Sequence, residues 1–298
     1  MISLCFCASV ATKMNKYFSY QNKKIFYRIF GNGKPVILIH GFGEDGEVWR
    51  NQAPSNSPEG GELASPQSQL VENSLIKKFQ FIIPDLPGSG KSEMIDDMSI
   101  EGIAEVIHSI IHNENIETCT VIGHSMGGYI TLALAEKYWN HLNGFSLFHS
   151  SAYADREEKK ATRRKGIEFI YQHGAFEFLK TTTPNLFSSK TKDETPGLID
   201  KQVDSLSNFS SAALVLYSKA MIQRPDRTAI LKNASVPVLF IMGEHDNAVP
   251  VQDSLQQCHL PEKSYIHILH HSGHMGMLEE PEKCNLILEK FLLEIYPE

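Results

Sequence analysis

The hexapeptide Gly123-His124-Ser125-Met126-Gly127-Gly128 sets a serine among glycines. It directly follows the apolar run Thr120-Val121-Ile122 and opens a helical pattern. A G-x-S-x-G sequence at a strand-to-helix junction is a nucleophile elbow. The serine must occupy a strained turn for its Oγ to project from the sheet edge. Positions such as Gly123 and Gly127 have no room for a Cβ where strand and helix crowd together. A serine hydroxyl attacks a substrate only when a base takes its proton and a third group orients that base. Two later segments offer such groups, each just past an apolar run: Met242-Gly243-Glu244-His245-Asp246 and His270-His271-Ser272-Gly273-His274-Met275. Ser125, Asp246 and His274 then run in the chain order serine, acid, histidine. All three fall at the carboxyl ends of expected strands, where open α/β sheets place their sites.

The elements that would position these residues alternate. Residues 17–30 read as a hairpin, two aromatic and β-branched runs broken by Gln21-Asn22-Lys23-Lys24 and closed by Gly31-Asn32-Gly33. Val36-Ile37-Leu38-Ile39 is a short unbroken apolar run, the pattern of a strand covered on both faces. Similar runs recur at 81–83, 120–122, 145–148, 238–241 and 265–268. Between them Ile100, Ile103, Ile107, Ile110 and Ile111 keep helical spacing, with Ser99 and Gly102 marking a start. Further helices are expected over 125–138 and 280–296. The predicted class is α/β, with a mostly parallel central sheet covered by helices.

Two segments depart from that rhythm. Residues 52–69 are rich in Ser, Pro and Gly and predict a flexible surface loop. Residues 152–223 show helical spacing without a buried strand and predict a helical insertion. The core is then 14–151 with 224–298, preceded by a disordered extension over 1–13. Met14 is a plausible start, because recognisable folding signals begin just after it.

The chain has 298 residues, 42% of them hydrophobic, enough for a sizeable core. With 28 basic against 35 acidic side chains, the formal charge of −7 argues against a nucleic-acid partner. No apolar run approaches the ~20 residues that span a bilayer. The first 13 residues lack a basic segment before their short apolar stretch, so no export signal is expected. Cys5, Cys7, Cys119, Cys258 and Cys284 are odd in number and scattered, which fits a reducing, cytoplasmic compartment rather than a disulfide framework.

Four stretches give the chain a likeness that covers nearly its whole length, about 16–296. They are His40-Gly41-Phe42-Gly43, Pro84-Asp85-Leu86-Pro87-Gly88-Ser89-Gly90-Lys91-Ser92, the Ser125 elbow, and the Asp246 and His274 segments. On them the chain resembles the α/β-hydrolase fold family in its cap-bearing serine hydrolase branch. The resemblance implies Ser125 as nucleophile, His274 as general base and Asp246 as the carboxylate that orients it, in preference to Glu244 or His245. It implies an oxyanion hole from the backbone N–H groups of Phe42 and Met126, with His40 and Gly41 supporting that loop. Residues 152–223 then match the cap that roofs the pocket. The chain departs from the pattern in the length of the 52–69 segment after Trp49. Its elbow residue is Ser, which disfavours the dehalogenases and epoxide hydrolases of this fold that use Asp.

The expected activity is hydrolysis, without a cofactor, of a small or medium, partly apolar ester through an acyl-enzyme. C–C bond, thioester, amide or lactone hydrolysis stand as alternatives on the same residues, and a slow-turnover ligand sensor as one of another class. Simpler roles are expected for several suggestive groups. Asp85 reads as a turn residue bonding its own backbone. Residues 155–165, nine of eleven charged, read as a solvated helix face, from which Arg163 or Arg164 could still reach a substrate carboxylate. Phe169, Phe176, Phe178 and Phe209 read as cap core. No metal site is expected: His267, His270, His271 and His274 do not share a strand face, and His108 with His112 lacks a third ligand.

Overall fold

The computed structural model describes residues 13–53, 75 and 77–297. The expected extension therefore lies outside the described residues except for Lys13, which opens the first strand. Of the 52–69 segment only Gln52 and Ala53 are described. Both are buried: Ala53 packs beneath Trp49, and Gln52 donates from Nε2 to the Met277 carbonyl at 3.2 Å. The rest of that segment, residues 54–69, lies outside the described residues.

Eight strands form one sheet: β1 (Lys13–Tyr20), β2 (Lys23–Phe30), β3 (Lys34–Ile39), β4 (Phe79–Pro84), β5 (Cys119–His124), β6 (Leu142–Phe148), β7 (Val238–Gly243) and β8 (Ser264–Leu269). Their order across the sheet is β1-β2-β4-β3-β5-β6-β7-β8. β2 pairs antiparallel with both its neighbours, and every pairing from β4 to β8 is parallel. The β1–β2 hairpin turns at Gln21 and Asn22, both in the left-handed region that asparagine tolerates.

Alternation along the strands sends side chains to two apolar layers. Ile37 and Ile39 face the layer built with α1 (Ile100–Asn113) and α2 (Met126–Tyr138), while Val36 and Leu38 face the layer that holds Trp49 and Phe291. α1 starts where expected, the Ser99 hydroxyl accepting from the Gly102 N–H at 3.0 Å.

Between β6 and β7 lie α3 (Glu157–Thr182), α4 (Ser189–Glu194), α5 (Pro196–Ser205) and α6 (Ser211–Gln223). α3 breaks at Gly174, where φ is 85°. These helices have an apolar centre of their own, with Ile170, Leu179, Leu206 and Leu214 packed together. A last helix, α7 (Pro281–Ile295), closes the fold. No helix among the described residues is long and apolar enough to cross a membrane.

Candidate active site

Ser125 sits between the last residue of β5 and the first of α2, with φ 52° and ψ −114°. That conformation is costly for a side chain with a Cβ, and dense local bonding holds it. The Ser125 N–H donates to the Phe148 carbonyl at 2.9 Å, and its own carbonyl accepts from the Ser150 hydroxyl at 2.7 Å. A Cβ on Gly123 would meet the Gly127 carbonyl and the Thr131 hydroxyl, and one on Gly127 would meet the carbonyls of Ile39 and His40. The glycines let strand and helix approach this closely.

The loops after β7 and β8 bring the other two residues to Ser125. His274 Nε2 lies 2.9 Å from Ser125 Oγ, and His274 Nδ1 lies 2.7 Å from Asp246 Oδ2. The other oxygen of Asp246 accepts from the N–H groups of Ala248 and Val249, each at 2.8 Å. Burial alone would raise the Asp246 carboxyl. The charge of His274 and hydrogen bonds from His149 and His274 outweigh it and hold the group well below the usual carboxylate range. The result is an unbroken hydrogen-bonded path from hydroxyl to imidazole to carboxylate. Such a path can move the serine proton to the imidazole and stabilise the cation that forms.

His149, which the strand-edge pattern could have found, completes the arrangement. It is the first residue past β6, at φ 49°, and it is buried. Its Nδ1 lies 3.2 Å from Asp246 Oδ2, and its Nε2 accepts from the Gly276 N–H at 3.3 Å. The acceptor role of Nε2 puts the proton on Nδ1, which then donates to Asp246. His149, Asp246 and His274 lie close enough together to hold a metal ion. The proton on His149 Nδ1 removes that nitrogen as a ligand, so the donor set does not fit a resident metal. Burial lowers the His149 pKa to about 4, which keeps the ring neutral at ordinary pH.

A second buried cluster lies behind the Phe42 loop. His124 Nδ1 is 3.0 Å from Glu44 Oε2, and His124 Nε2 is 3.0 Å from the His274 carbonyl. Both ring nitrogens face acceptors, the arrangement of an imidazolium. Burial would lower the His124 pKa and raise that of Glu44; their mutual attraction reverses both shifts. Glu44 Oε2 also accepts from the Gly41 N–H at 2.7 Å. One buried ion pair therefore ties the Gly41–Phe42 turn to the loop that carries His274. A Cβ on Gly41 would stand 3.1 Å from Ser125 Cβ, so this turn abuts the serine. The Phe42 N–H has no protein partner among the described residues, and Met126 opens α2, where the N–H has no intrahelical acceptor. His40 is buried behind the turn, its Nδ1 2.9 Å from the Gly41 carbonyl and its Nε2 accepting from the Leu86 N–H at 2.9 Å.

Ser125 and His274 open into a cavity of about 600 Å³, within the range of small-molecule sites. The 155–165 stretch is largely exposed, as expected of a solvated helix face, and Arg163 reaches the cavity as that reading allowed; the unexpected feature is Asp155. Asp155 is buried, and its carboxylate accepts from Arg163 Nε at 2.6 Å and from Arg224 at 2.9 Å, with Lys159 nearby. All four line the cavity, and Arg224 lies 3.8 Å over the Tyr129 ring. Arg164 is exposed and points to Glu157 instead.

Two other expectations change. Asp85 is more than a turn residue: fully buried, it binds Arg28 Nη1 at 2.6 Å and the N–H groups of Gly46 and Lys91. Phe178 is more than cap core, because it packs edge-on against Phe42 and lines a second cavity. His270 is exposed and bonded to Glu244, His245 is exposed, and His108 stacks on Tyr138.

A sequence profile described as "Alpha/beta hydrolase family" matches residues 36–285. Among curated proteins, the chain is 23% identical over 278 residues to 3-oxoadipate enol-lactonase 1 of Acinetobacter baylyi, covering 92% of this chain and 95% of that protein. It is 24% identical to the 2-hydroxy-6-oxononadienedioate/2-hydroxy-6-oxononatrienedioate hydrolase of Escherichia coli K12, covering 90% and 91%. Among solved structures it superposes on an esterase from Thermogutta terrifontis with a TM-score of 0.82 at 24% identity, over 96% of this chain and all of that one. At that identity the superposition shows the shared fold alone.

Proposed function

The chain is a hydrolase that belongs to the alpha/beta hydrolase family, and on that premise we propose that it is a serine hydrolase cleaving small or medium esters through an acyl-enzyme. The observation that carries this reading is the path Ser125 Oγ–His274–Asp246 with links of 2.9 and 2.7 Å, open to a substrate-sized cavity. Ser125 Oγ attacks the ester carbonyl while its proton passes to His274 Nε2. The carbonyl oxygen takes the negative charge and lies against the free N–H groups of Phe42 and Met126, a contribution typically worth about 3–4 kcal/mol per donor. Collapse expels the alcohol, which takes the proton back from His274. Water, activated by the same imidazole, then releases the acid and restores Ser125. Asp246 fixes the ring and offsets its transient charge.

Residues 152–223 are read as the cap. The supporting features are Leu186, which lines the cavity, and the cavity wall from Asp155 to Arg163. Lactone hydrolysis is the second reading. A lactone is a cyclic ester open to the same attack, and a relative of similar length bears the name enol-lactonase. The buried, free thiols Cys119, Cys258 and Cys284 support a reducing, cytoplasmic setting.

The test is stopped-flow hydrolysis of p-nitrophenyl esters from acetate to decanoate. A burst of p-nitrophenol that Ser125→Ala abolishes is the expected result. Turnover that survives that substitution removes Ser125 as the nucleophile, and none on any ester or lactone by a folded protein replaces the ester reading with C–C hydrolysis or slow-turnover sensing.

A further inference from the structure

His124, the residue just before the nucleophile, forms a buried pair with Glu44 that lies outside the path from Ser125 to His274 and Asp246. Only one glycine separates the pair from the serine. A Cβ built on Gly41 would stand 3.0 Å from His124 Nδ1 and 3.1 Å from both Glu44 Oε2 and Ser125 Cβ. Glu44 Oε2 accepts the Gly41 N–H at 2.7 Å, one peptide before the free Phe42 N–H. Glu44 also lines the cavity into which Ser125 opens. The pair thus flanks the place where a substrate's carbonyl oxygen would take up negative charge.

The proton between the two groups decides what the pair does there. With it the pair is neutral, whether the proton sits on Nδ1 or on Oε2. Without it a bare carboxylate stands beside the developing oxyanion, and like charges repel strongly where water is scarce. The other groups facing His124 do not replace the lost charge. His40, behind Gly41, is neutral, because its Nε2 accepts from the Leu86 N–H. His149, with ring centres 6.0 Å apart, is kept neutral by burial. Asp246 is anionic, and the His274 ring, 5.0 Å away, is engaged by Asp246 and Ser125. Trp49 and Phe148 are uncharged neighbours. Burial would lower the His124 pKa, but attraction to Glu44 outweighs it and raises the value, so the proton stays through neutrality.

We propose that Glu44 and His124 are positioning residues that support the oxyanion hole under the control of one proton. With the proton the pair fixes the Gly41–Phe42 turn without opposing the oxyanion; its loss suppresses catalysis at alkaline pH. The inference rests on the acyl-enzyme reading for the reaction that is affected. Because the oxyanion forms only on the way to products, losing the proton lowers kcat and kcat/KM together and leaves KM in place. A merely structural pair would change stability without producing that alkaline limb.

The experiment follows hydrolysis of uncharged ethyl esters by pH-stat from about pH 6 to about pH 10, in the native protein and in Glu44→Gln. Gln keeps an acceptor for the Gly41 N–H and carries no charge. The native protein is expected to lose about tenfold or more in kcat along an alkaline limb at constant KM. NMR of the histidine rings should show His124 losing its proton along the same limb, and Glu44→Gln should lack the limb. A native profile without an alkaline limb, or the same limb in both proteins, overturns the proposal. If Glu44→Gln does not fold, the native protein decides alone: a limb that coincides with the His124 titration upholds the pair, and one that departs from it overturns it. If no ester turns over, an alkyl trifluoromethyl ketone takes its place. Ser125 Oγ adds to the ketone carbon, the serine proton passes to His274, and the oxygen keeps the negative charge of an adduct that fluorine NMR detects. Affinity that falls along the His124 titration in the native protein but not in Glu44→Gln upholds the pair while the ester reading fails. No adduct, or the same pH dependence in both proteins, overturns the pair as well.

Discussion

The strand-end loops and the helical insertion face each other across the main cavity and are built on opposite terms. On the strand side the polar groups around Ser125 are multiply satisfied, although Trp49 Nε1, Gln52 Oε1 and Ser146 Oγ farther off are buried without partners. Asp246 accepts from His274, His149, Ala248 and Val249, and the Glu44–His124 pair is tied to Gly41 and to the His274 carbonyl. On the insertion side α3 breaks at Gly174, and Gln202 Oε1 and the Nε of Arg224, just past α6, are buried without partners. The two sides meet through the His274 N–H to the Leu186 carbonyl at 2.6 Å, the Ser188 N–H to Glu279 at 2.8 Å and the packing of Phe42 on Phe178 and Tyr217, among other contacts. A site that must hold reacting atoms in place gains from complete internal bonding. A site that must take up a ligand gains from groups left for the ligand to satisfy. On the proposed reading, chemistry falls to the strand ends and selection to the insertion.

The sharpest way to break that assignment is at the serine. Ser125→Ala and His274→Ala are each expected to lower kcat on a p-nitrophenyl ester by roughly four orders of magnitude or more. The double variant should be scarcely worse, because the groups act as a unit. Additive losses would mean that the two act independently.

On the insertion side the largest effect is expected at Asp155. Replacing it with Ala leaves Arg224 buried and Arg163 and Lys159 without their shared anion. Breaking a buried pair from one side typically costs about 3–5 kcal/mol. Thermal unfolding should show a clear fall in Tm, and residual enzyme should lose mainly in KM. A fall in kcat alone would put this wall in the chemistry and collapse the comparison.

The strand side also carries a pH signature. The folded pKa of His149 is lowered to about 4. Between the ordinary histidine value and that point the unfolded chain binds more protons, so stability falls as pH falls, by up to about 3 kcal/mol at the lower end. The His124 pKa is raised, so its contribution is fully present below the ordinary histidine value and is lost as pH rises through the folded one. Urea unfolding at a series of pH values should therefore show a maximum near the ordinary histidine pKa. His149→Asn, which keeps a donor toward Asp246 and tolerates positive φ, should flatten the acid side. His149→Ala should in addition lower kcat on the order of tenfold to a hundredfold, by letting Asp246 and the His274 ring drift. An unchanged acid limb in both variants would remove His149 from this account.

The smallest effect is expected at Gln202. Gln202→Leu removes a buried amide that lacks a partner, and Tm should rise by the equivalent of about 1 kcal/mol. A loss of stability instead would mean that the amide is already satisfied.

Much of this was readable along the chain, and the reason is local. The Ser125 elbow is a run of six residues whose glycines answer contacts with the adjoining strand and helix, so type and spacing carry the geometry. The strand runs were legible because a strand covered on both faces must be continuously apolar, and Ser99 marked the start of α1 through a bond three residues long. The place of His149, one residue past a strand, was open to the strand-edge pattern, but its role escaped because its partners, Asp246 and Gly276, are 97 and 127 residues away. Glu44 escaped for the same reason, with His124 80 residues distant. Asp85 was underread because its local turn bonds hide a buried pairing with Arg28, 57 residues back.

The amino-acid sequence by itself determined the α/β class, the mostly parallel sheet and the edge at which Ser125, Asp246 and His274 must emerge, since each follows from periodicity or from contacts within a few residues. Only the tertiary structure decided which groups share a carboxylate and which charges are buried together. It also decided that Asp155 faces inward and that Gln202 Oε1 is buried without a partner. Those outcomes depend on distance and on exclusion from water, and both arise only when segments far apart in the chain close on one another.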